Sequence, residues 1–96
     1  MKRLEVICSR AIHDDLFDLF RKHETGRHFS MVPTVFGSGS SEPKKGDPVW
    51  PEENFILILY CDEDEAGRVL AAVRELKSFF PDEGVKLFAV DAEELR

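Results

Sequence analysis

The chain opens with apolar and polar residues in alternation, and the period then lengthens to that of a helix. Leu4, Val6 and Cys8 alternate with more polar positions, which predicts a strand over residues 4–9. A helix follows, with one apolar side and one charged side. The residues that follow helical spacing on the first side are Ile12, Leu16, Leu19, Phe20 and His23, and those on the opposite side are Asp14, Asp15, Asp18 and Arg21. Gly26 predicts a left-handed residue where this helix ends.

Residues 27–36 predict a second strand, irregular around Pro33, because proline is tolerated at a sheet edge better than at its centre. The composition then changes. Residues 37–53 are rich in glycine, proline and serine and predict a long loop. Long loops in small domains are usually functional or disordered, which makes this loop a first place to look for function.

The second half repeats the order of the first. Residues 55–60 are uninterruptedly apolar and predict a strand that is covered on both faces. Asp62 and Glu65 have the spacing of a capping box at a helix start, and Pro81 closes the helix. Its predicted buried positions are Ala66, Val69, Leu70, Val73, Leu76 and Phe80. A last strand is predicted where Val85, Leu87 and Ala89 alternate with Phe88 and Val90.

The order β-α-β, loop, β-α-β predicts one α+β domain over residues 1–96, a ferredoxin-like sandwich with sheet order 4-1-3-2 and both helices on one face. The strands at 4–9 and 55–61 would be central neighbours. Because residues 55–60 are apolar on both faces, we expect the face away from the helices to meet another subunit. The alternative is that the loop or the tail of the same chain covers it.

Composition restricts the classes of function. The 96 residues include 19 acidic and 13 basic ones, for a net charge of −6, which argues against general nucleic-acid binding. No apolar run approaches the roughly 20 residues of a membrane-spanning helix, and the N-terminus has no signal-peptide pattern. The sequence therefore predicts a cytoplasmic protein without membrane insertion, and its two cysteines form no disulfide framework.

Two segments flanking the loop carry a family resemblance. Residues 35–41 read Val-Phe-Gly-Ser-Gly-Ser-Ser, and residues 46–54 read Gly-Asp-Pro-Val-Trp-Pro-Glu-Glu-Asn. The chain resembles the PII-like signalling proteins, a superfamily of ferredoxin-like homotrimers. The first segment is similar to the base of the PII T-loop, and the second to a Gly-Thr-His-Thr-Trp-Pro-x-x-Asn segment of a little-characterised branch. The resemblance implies a homotrimer that binds a small effector at subunit interfaces and engages a target protein, such as a membrane transporter or an enzyme, through the loop.

The same resemblance leaves the effector open. PII proteins that bind ATP usually carry Thr-Gly-x-x-Gly-Asp-Gly-Lys after the second helix, whereas residues 80–86 retain Gly84 and Lys86 and add acidic residues. Acids beside a triphosphate disfavour its binding. No tyrosine stands between 37 and 54 for uridylylation, and Pro48 replaces the histidine of the branch segment. The cofactor is thus unknown, with a nucleotide as one candidate.

The predicted ligand site combines the loop base with the segment before the last strand. Its residues are Gly37, Ser38, Gly39, Gly84 and Lys86. Free backbone N–H groups and hydroxyls there suit an anion, although a plain hinge is an equal alternative. Lys44, Lys45 and Trp50 are the predicted loop contacts to a partner, Trp50 more as an anchor than as a platform for a ligand.

Other chemistry has less support. Cys8 and Cys61 are predicted at the ends of adjacent parallel strands, where they are either a redox pair or, preferably, buried core thiols. His13, His23 and His28 lack metal-site spacing, so no metal residue is predicted. No nucleophile motif or carboxylate pair stands out, so no catalytic residue is predicted and the chain is not expected to be an enzyme. The alternatives are a CutA-like, metal-related trimer and a structural interaction domain without a ligand.

Overall fold

The computed structural model describes residues 1–38 and 52–96. The order of elements is the predicted one. They are β1 (Lys2–Ser9), a 3₁₀ turn (Arg10–Ile12), α1 (His13–Lys22), β2 (Ser30–Gly37), β3 (Glu52–Cys61), α2 (Glu63–Phe79) and β4 (Val85–Asp91). None of the helices within these two ranges is both long and apolar enough to cross a bilayer.

The four strands form one antiparallel sheet in the order β2-β3-β1-β4. This is the predicted order 4-1-3-2 counted from the other edge, so the α+β sandwich is confirmed. The central pair is in register over the whole of β1, with Leu4 opposite Leu59 and Val6 opposite Leu57. Because β1 and β3 are the inner strands, each of them is paired with a strand on either side.

One core joins the two helices to a single face of the sheet. Alternate residues of β1 and β3 are buried in it, together with one side of each helix. Its buried members are Leu4, Val6, Cys8, Ile12, Leu16, Leu19, Phe20, Phe55, Leu57, Leu59, Cys61, Val69, Ala72, Val73, Leu76 and Val85. Both helices therefore lie on the same side, as predicted.

The buried side of α2 differs from its prediction at two positions. Leu70 is exposed, whereas Ala72 is buried with Val69, Val73 and Leu76. Ala72 is three and four residues from Val69 and Leu76, which is the spacing of one helix face, while Leu70 is rotated about 100° from Val69. The position of a residue around the helix, and not the size of its side chain, decides which of the two is buried.

The start of α2 and the end of α1 are joined. The Asp62 carboxylate accepts a hydrogen bond from the Glu65 backbone N–H at 2.8 Å, as the capping prediction requires. The Glu65 carboxylate does not return to Asp62; it accepts from the Thr25 hydroxyl at 3.1 Å and from the Gly26 N–H at 3.4 Å. Gly26 has a φ of 72°, so its predicted left-handed conformation is confirmed.

The edge strand β2 contains an irregularity at the predicted place. Its register with β3 shifts between Val32 and Val35, on either side of Pro33. The guanidinium of Arg10 donates hydrogen bonds to the Pro33 carbonyl and, at 3.1 Å, to the Thr34 hydroxyl. The 3₁₀ turn after β1 thus supports the bulge.

The prediction that Cys8 and Cys61 lie close together is wrong. Because β1 and β3 are antiparallel, Cys8 lies opposite Phe55 and Cys61 lies opposite Lys2. The two thiols are at opposite ends of the central strand pair, roughly 20 Å apart at about 3.4 Å per residue. The prediction treated these neighbours as parallel, whereas the chain reverses direction between β2 and β3.

The limits of the predicted loop also change. Gly37 is the last residue of β2, and β3 begins at Glu52, before the apolar run. Both ends of the 37–53 segment therefore belong to paired strands, and its remainder, residues 39–51, lies outside the described residues.

Candidate functional site

The sheet face away from the helices, called the open face below, is rich in apolar side chains. Strand register places on it Arg3, Glu5, Ile7 and Ser9 of β1, Ser30, Val32, Val35 and Gly37 of β2, Glu52, Asn54, Ile56, Ile58 and Tyr60 of β3, and Lys86, Phe88 and Val90 of β4. Tyr60, Phe88 and Val90 are 59%, 53% and 55% exposed. The prediction that β3 is apolar on both faces holds, and one of those faces has no covering layer in the described part of the chain.

A cavity of about 250 Å³ lies at one end of the open face. It is lined by Ile7, Gly37, Ser38, Glu52, Asn54, Gly84, Val85 and Lys86. The end of β2 and the start of β4 meet here because β2 runs parallel to β1 and β4 runs antiparallel to it. The fold thus brings four of the five residues of the predicted ligand site, Gly37, Ser38, Gly84 and Lys86, to a common cavity.

One glycine allows the strands to approach closely at this cavity, and a second lies in the turn beside it. A Cβ at Gly37 would lie 3.1 Å from the Asn54 side-chain nitrogen, which is tighter than ordinary contact. The Gly84 carbonyl accepts a hydrogen bond from the Ser9 N–H at 2.8 Å, which ties the turn before β4 to the end of β1. The backbone therefore shapes the cavity wall on both sides.

The charges at the cavity are mixed. Lys86 is the basic side chain among its described lining residues and Glu52 the acidic one. Glu52 lies near the turn, since a Cβ at Gly84 would be 3.5 Å from its carboxylate oxygen. An ammonium group suits an anion, and a carboxylate near it reduces the negative charge that the cavity accepts.

Sequence reasoning missed Glu52 and Asn54 as lining residues. Asn54 closes the Trp-Pro-x-x-Asn segment, and both positions alternate with the buried Phe55 and Leu57 of β3. Extending the strand period backward from the apolar run would have placed them on the open face. The alternating pattern was therefore present in the sequence, but the predicted strand began only at the apolar run.

The remaining predicted site residues cannot be placed beside this cavity. Gly39, Lys44, Lys45 and Trp50 lie outside the described residues. Their predicted roles as ligand or partner contacts remain predictions.

The surroundings of the two thiols disfavour their reactive thiolate form. Burial, with the nearby acids Glu83 and Asp15, raises the pKa of Cys8 to about 12, so this thiol stays protonated. Burial likewise raises the pKa of Cys61. In these ranges no three His, Cys, Asp or Glu side chains are grouped as metal ligands would be.

Comparison with known proteins identifies the fold. No protein-family model matches the chain, and no curated protein matches it in sequence. Among solved structures it is similar to CPII, a nitrogen regulatory PII-like protein from Thiomonas intermedia K12 bound to ADP, AMP and bicarbonate. The TM-score is 0.72 at 21% identity, over 99% of this chain and 92% of that one.

Two further structures agree with this result. CPII bound to ADP, AMP and acetate gives a TM-score of 0.70 at 21% identity, over 99% of this chain and 88% of that one. A candidate PII-like signalling protein from Thermus thermophilus gives 0.61 at 19% identity, over 93% and 83%. The predicted resemblance is confirmed at the level of structure: the chain has the fold of the PII-like proteins.

Proposed function

We propose that this protein is a cytoplasmic PII-like regulatory protein that binds a small anionic effector and acts on a target protein through the segment between β2 and β3. The observation that carries the proposal is the cavity itself. It joins Gly37 and Ser38, where the chain leaves β2, to Gly84 and Lys86, where β4 begins. An effector held there contacts the chain where the loop segment starts.

An adenine nucleotide is the effector class that we favour. The similar CPII structures contain ADP and AMP with bicarbonate or acetate. In this chain Lys86 would pair with a phosphate, and backbone N–H groups beside Gly37 and Gly84 would donate to it. The Glu52 carboxylate favours a mono- or diphosphate over a triphosphate, because like charges repel at short range.

We propose further that the binding unit is a trimer associated through the open face. The cavity of about 250 Å³ is smaller than usual ligand pockets of roughly 300–1,000 Å³, so a neighbouring subunit would complete it. The cavity and the apolar surface lie on the same side of the sheet, which supports an effector site at a subunit boundary. Assembly and effector binding would then be coupled.

The coupling to a target follows from position. Ser38 precedes the segment 39–51 directly, and Glu52 follows it. An effector that contacts both sides of this segment would bias the conformations available to it, and a target would bind the favoured set. The role is that of a switch without chemistry on the effector.

Calorimetry on the native protein tests the proposal, with AMP, ADP and ATP as titrants in the presence and absence of bicarbonate, alongside sedimentation for mass. We expect a trimer that binds AMP or ADP more tightly than ATP. Failure of all three nucleotides to bind the assembled protein would remove the nucleotide version. Thermal stabilisation by divalent metals but not by nucleotides would favour the CutA-like alternative.

A further inference from the structure

An ion pair lies in the middle of the open face. The Arg3 guanidinium Nη1 is 3.0 Å from the Glu5 carboxylate Oε2, and the two side chains are only 31% and 30% exposed. The two residues are two apart on β1, so both project to the same side of the sheet. Both charges of the pair belong to one strand, and the Tyr60 side chain of β3 also interacts with the Arg3 guanidinium.

Its neighbours across the sheet are mostly apolar. Tyr60 and Val90 flank Arg3, and Ile58 and Phe88 flank Glu5. An ion pair surrounded by water contributes little to stability, and this one is partly withdrawn from water by its neighbours. Each charge already has its partner before any other molecule arrives.

The open face is also balanced in charge, whereas the whole chain is not. The chain has a net charge of −6. On the described strands the open face carries two basic residues, Arg3 and Lys86, and two acidic ones, Glu5 and Glu52. Two copies can therefore bring these faces together with little repulsion, while a strongly charged partner would bury charge without compensation.

We propose that Arg3 and Glu5 form a self-contained ion pair that allows the open face to be buried against a second copy of this chain. The inference rests on the assembly in the proposed function and adds the residues that control it. When the face is buried, the two opposite charges enter the interface together, so that their net charge is zero. Removing one member leaves the other as an unpaired charge, which strongly disfavours burial, whereas replacing both with apolar residues does not.

The test measures assembly of full-length variants by sedimentation equilibrium over a range of concentrations at neutral pH. Glu5→Gln and Arg3→Met each break the pair, the double variant Arg3→Met with Glu5→Leu removes it, and the exchange Arg3→Glu with Glu5→Arg restores it in reverse. Asp18→Asn is the matched control, because Asp18 pairs with Arg21 on the exposed side of α1. Circular dichroism checks that each variant is folded.

We expect each single variant to raise the concentration at half-assembly by at least tenfold, and the double, exchanged and control variants to stay within about threefold of wild type. Single variants that assemble like wild type would overturn the inference while leaving the proposed assembly intact. A double variant that dissociates as the single ones do would also overturn it, since the residues would then contact the other copy directly. A wild-type monomer at all concentrations would overturn the proposed assembly itself, and this inference with it.

Discussion

His23, directly after α1, and Glu75 of α2 connect the two helices, with His23 Nε2 2.9 Å from Glu75 Oε1. The ammonium of Lys22 donates to the other oxygen of the same carboxylate at 2.6 Å. The hydrogen bonds from Lys22 and then from His23 lower the pKa of Glu75 below its ordinary 4.5. One carboxylate on α2 thus holds the last turn of α1.

This carboxylate should make stability depend on acid pH. Because the folded-state pKa of Glu75 is lowered, its contribution is fully present above 4.5 and is lost as the pH falls through the folded pKa. We expect Glu75→Gln to lower the Tm at pH 7 and to differ less from wild type at pH 3. Thermal unfolding of both proteins at the two pH values measures this, and an equal difference at both would contradict it.

Two glycines should respond in opposite directions to alanine. A Cβ at Gly26 would lie 2.2 Å from the Phe20 ring at a φ of 72°, whereas a Cβ at Gly67 meets nothing within 4 Å. We expect Gly26→Ala to lower the free energy of unfolding by at least about 1–2 kcal/mol, which is the cost of a left-handed backbone conformation for alanine. The clash with Phe20 adds to that cost. Gly67→Ala, inside α2, should raise it by about 0.5–1 kcal/mol. Urea denaturation measures both, and a common sign would count against this packing.

Lys86 is the residue of the cavity whose loss should weaken an anionic effector most. We expect Lys86→Met to reduce affinity for AMP or ADP about tenfold, close to 1.4 kcal/mol, through loss of a charge-assisted contact. Lys77→Met is the control, since Lys77 is exposed near the end of α2 and does not line the cavity. Calorimetry on the two variants compares them, and equal affinities would exclude Lys86 from the binding site.

The buried thiol of Cys8 should be chemically inert in the folded protein. Its pKa of about 12 leaves almost no thiolate at pH 8, and its side chain is buried in the core. We expect alkylation by iodoacetamide to be slow in native protein and rapid in urea, as mass spectrometry of the Cys8 peptide would show. Rapid labelling without urea would indicate that β1 opens, and a disulfide to Cys61 would contradict the strand register.

Much of this architecture was accessible from the spacing of residues alone. The alternation of apolar and polar residues predicted that β1 is a strand. The unbroken apolar run predicted that β3 is a strand buried on both faces, and the two together indicated the central strands. The direction of the strands also followed from the predicted topology, because a βαβ crossover makes β1 and β2 parallel and the reversal into β3 makes β3 antiparallel to β1. The error over Cys8 and Cys61 arose because the prediction placed them by strand order without this reversal.

The candidate site, too, was only partly predicted from the sequence. Gly37 and Gly84 are far apart in sequence, and the family resemblance supplied their association, which the cavity now shows geometrically. The Arg3–Glu5 pair was not predicted, because charged residues on a short strand normally indicate exposure to water. Its environment is created by Tyr60 and Phe88, which the chain brings alongside only after folding.

The bulge at Pro33 has a consequence for growth of the sheet. Proline has no N–H to offer a further strand, and the Pro33 carbonyl is already occupied by Arg10. An incoming strand would therefore find an interrupted ladder along β2, which is how natural proteins protect sheet edges from runaway polymerisation. If copies associate through the open face as proposed, the interrupted ladder keeps the sheet from extending along β2, and association should stop at closed particles and not continue into fibres.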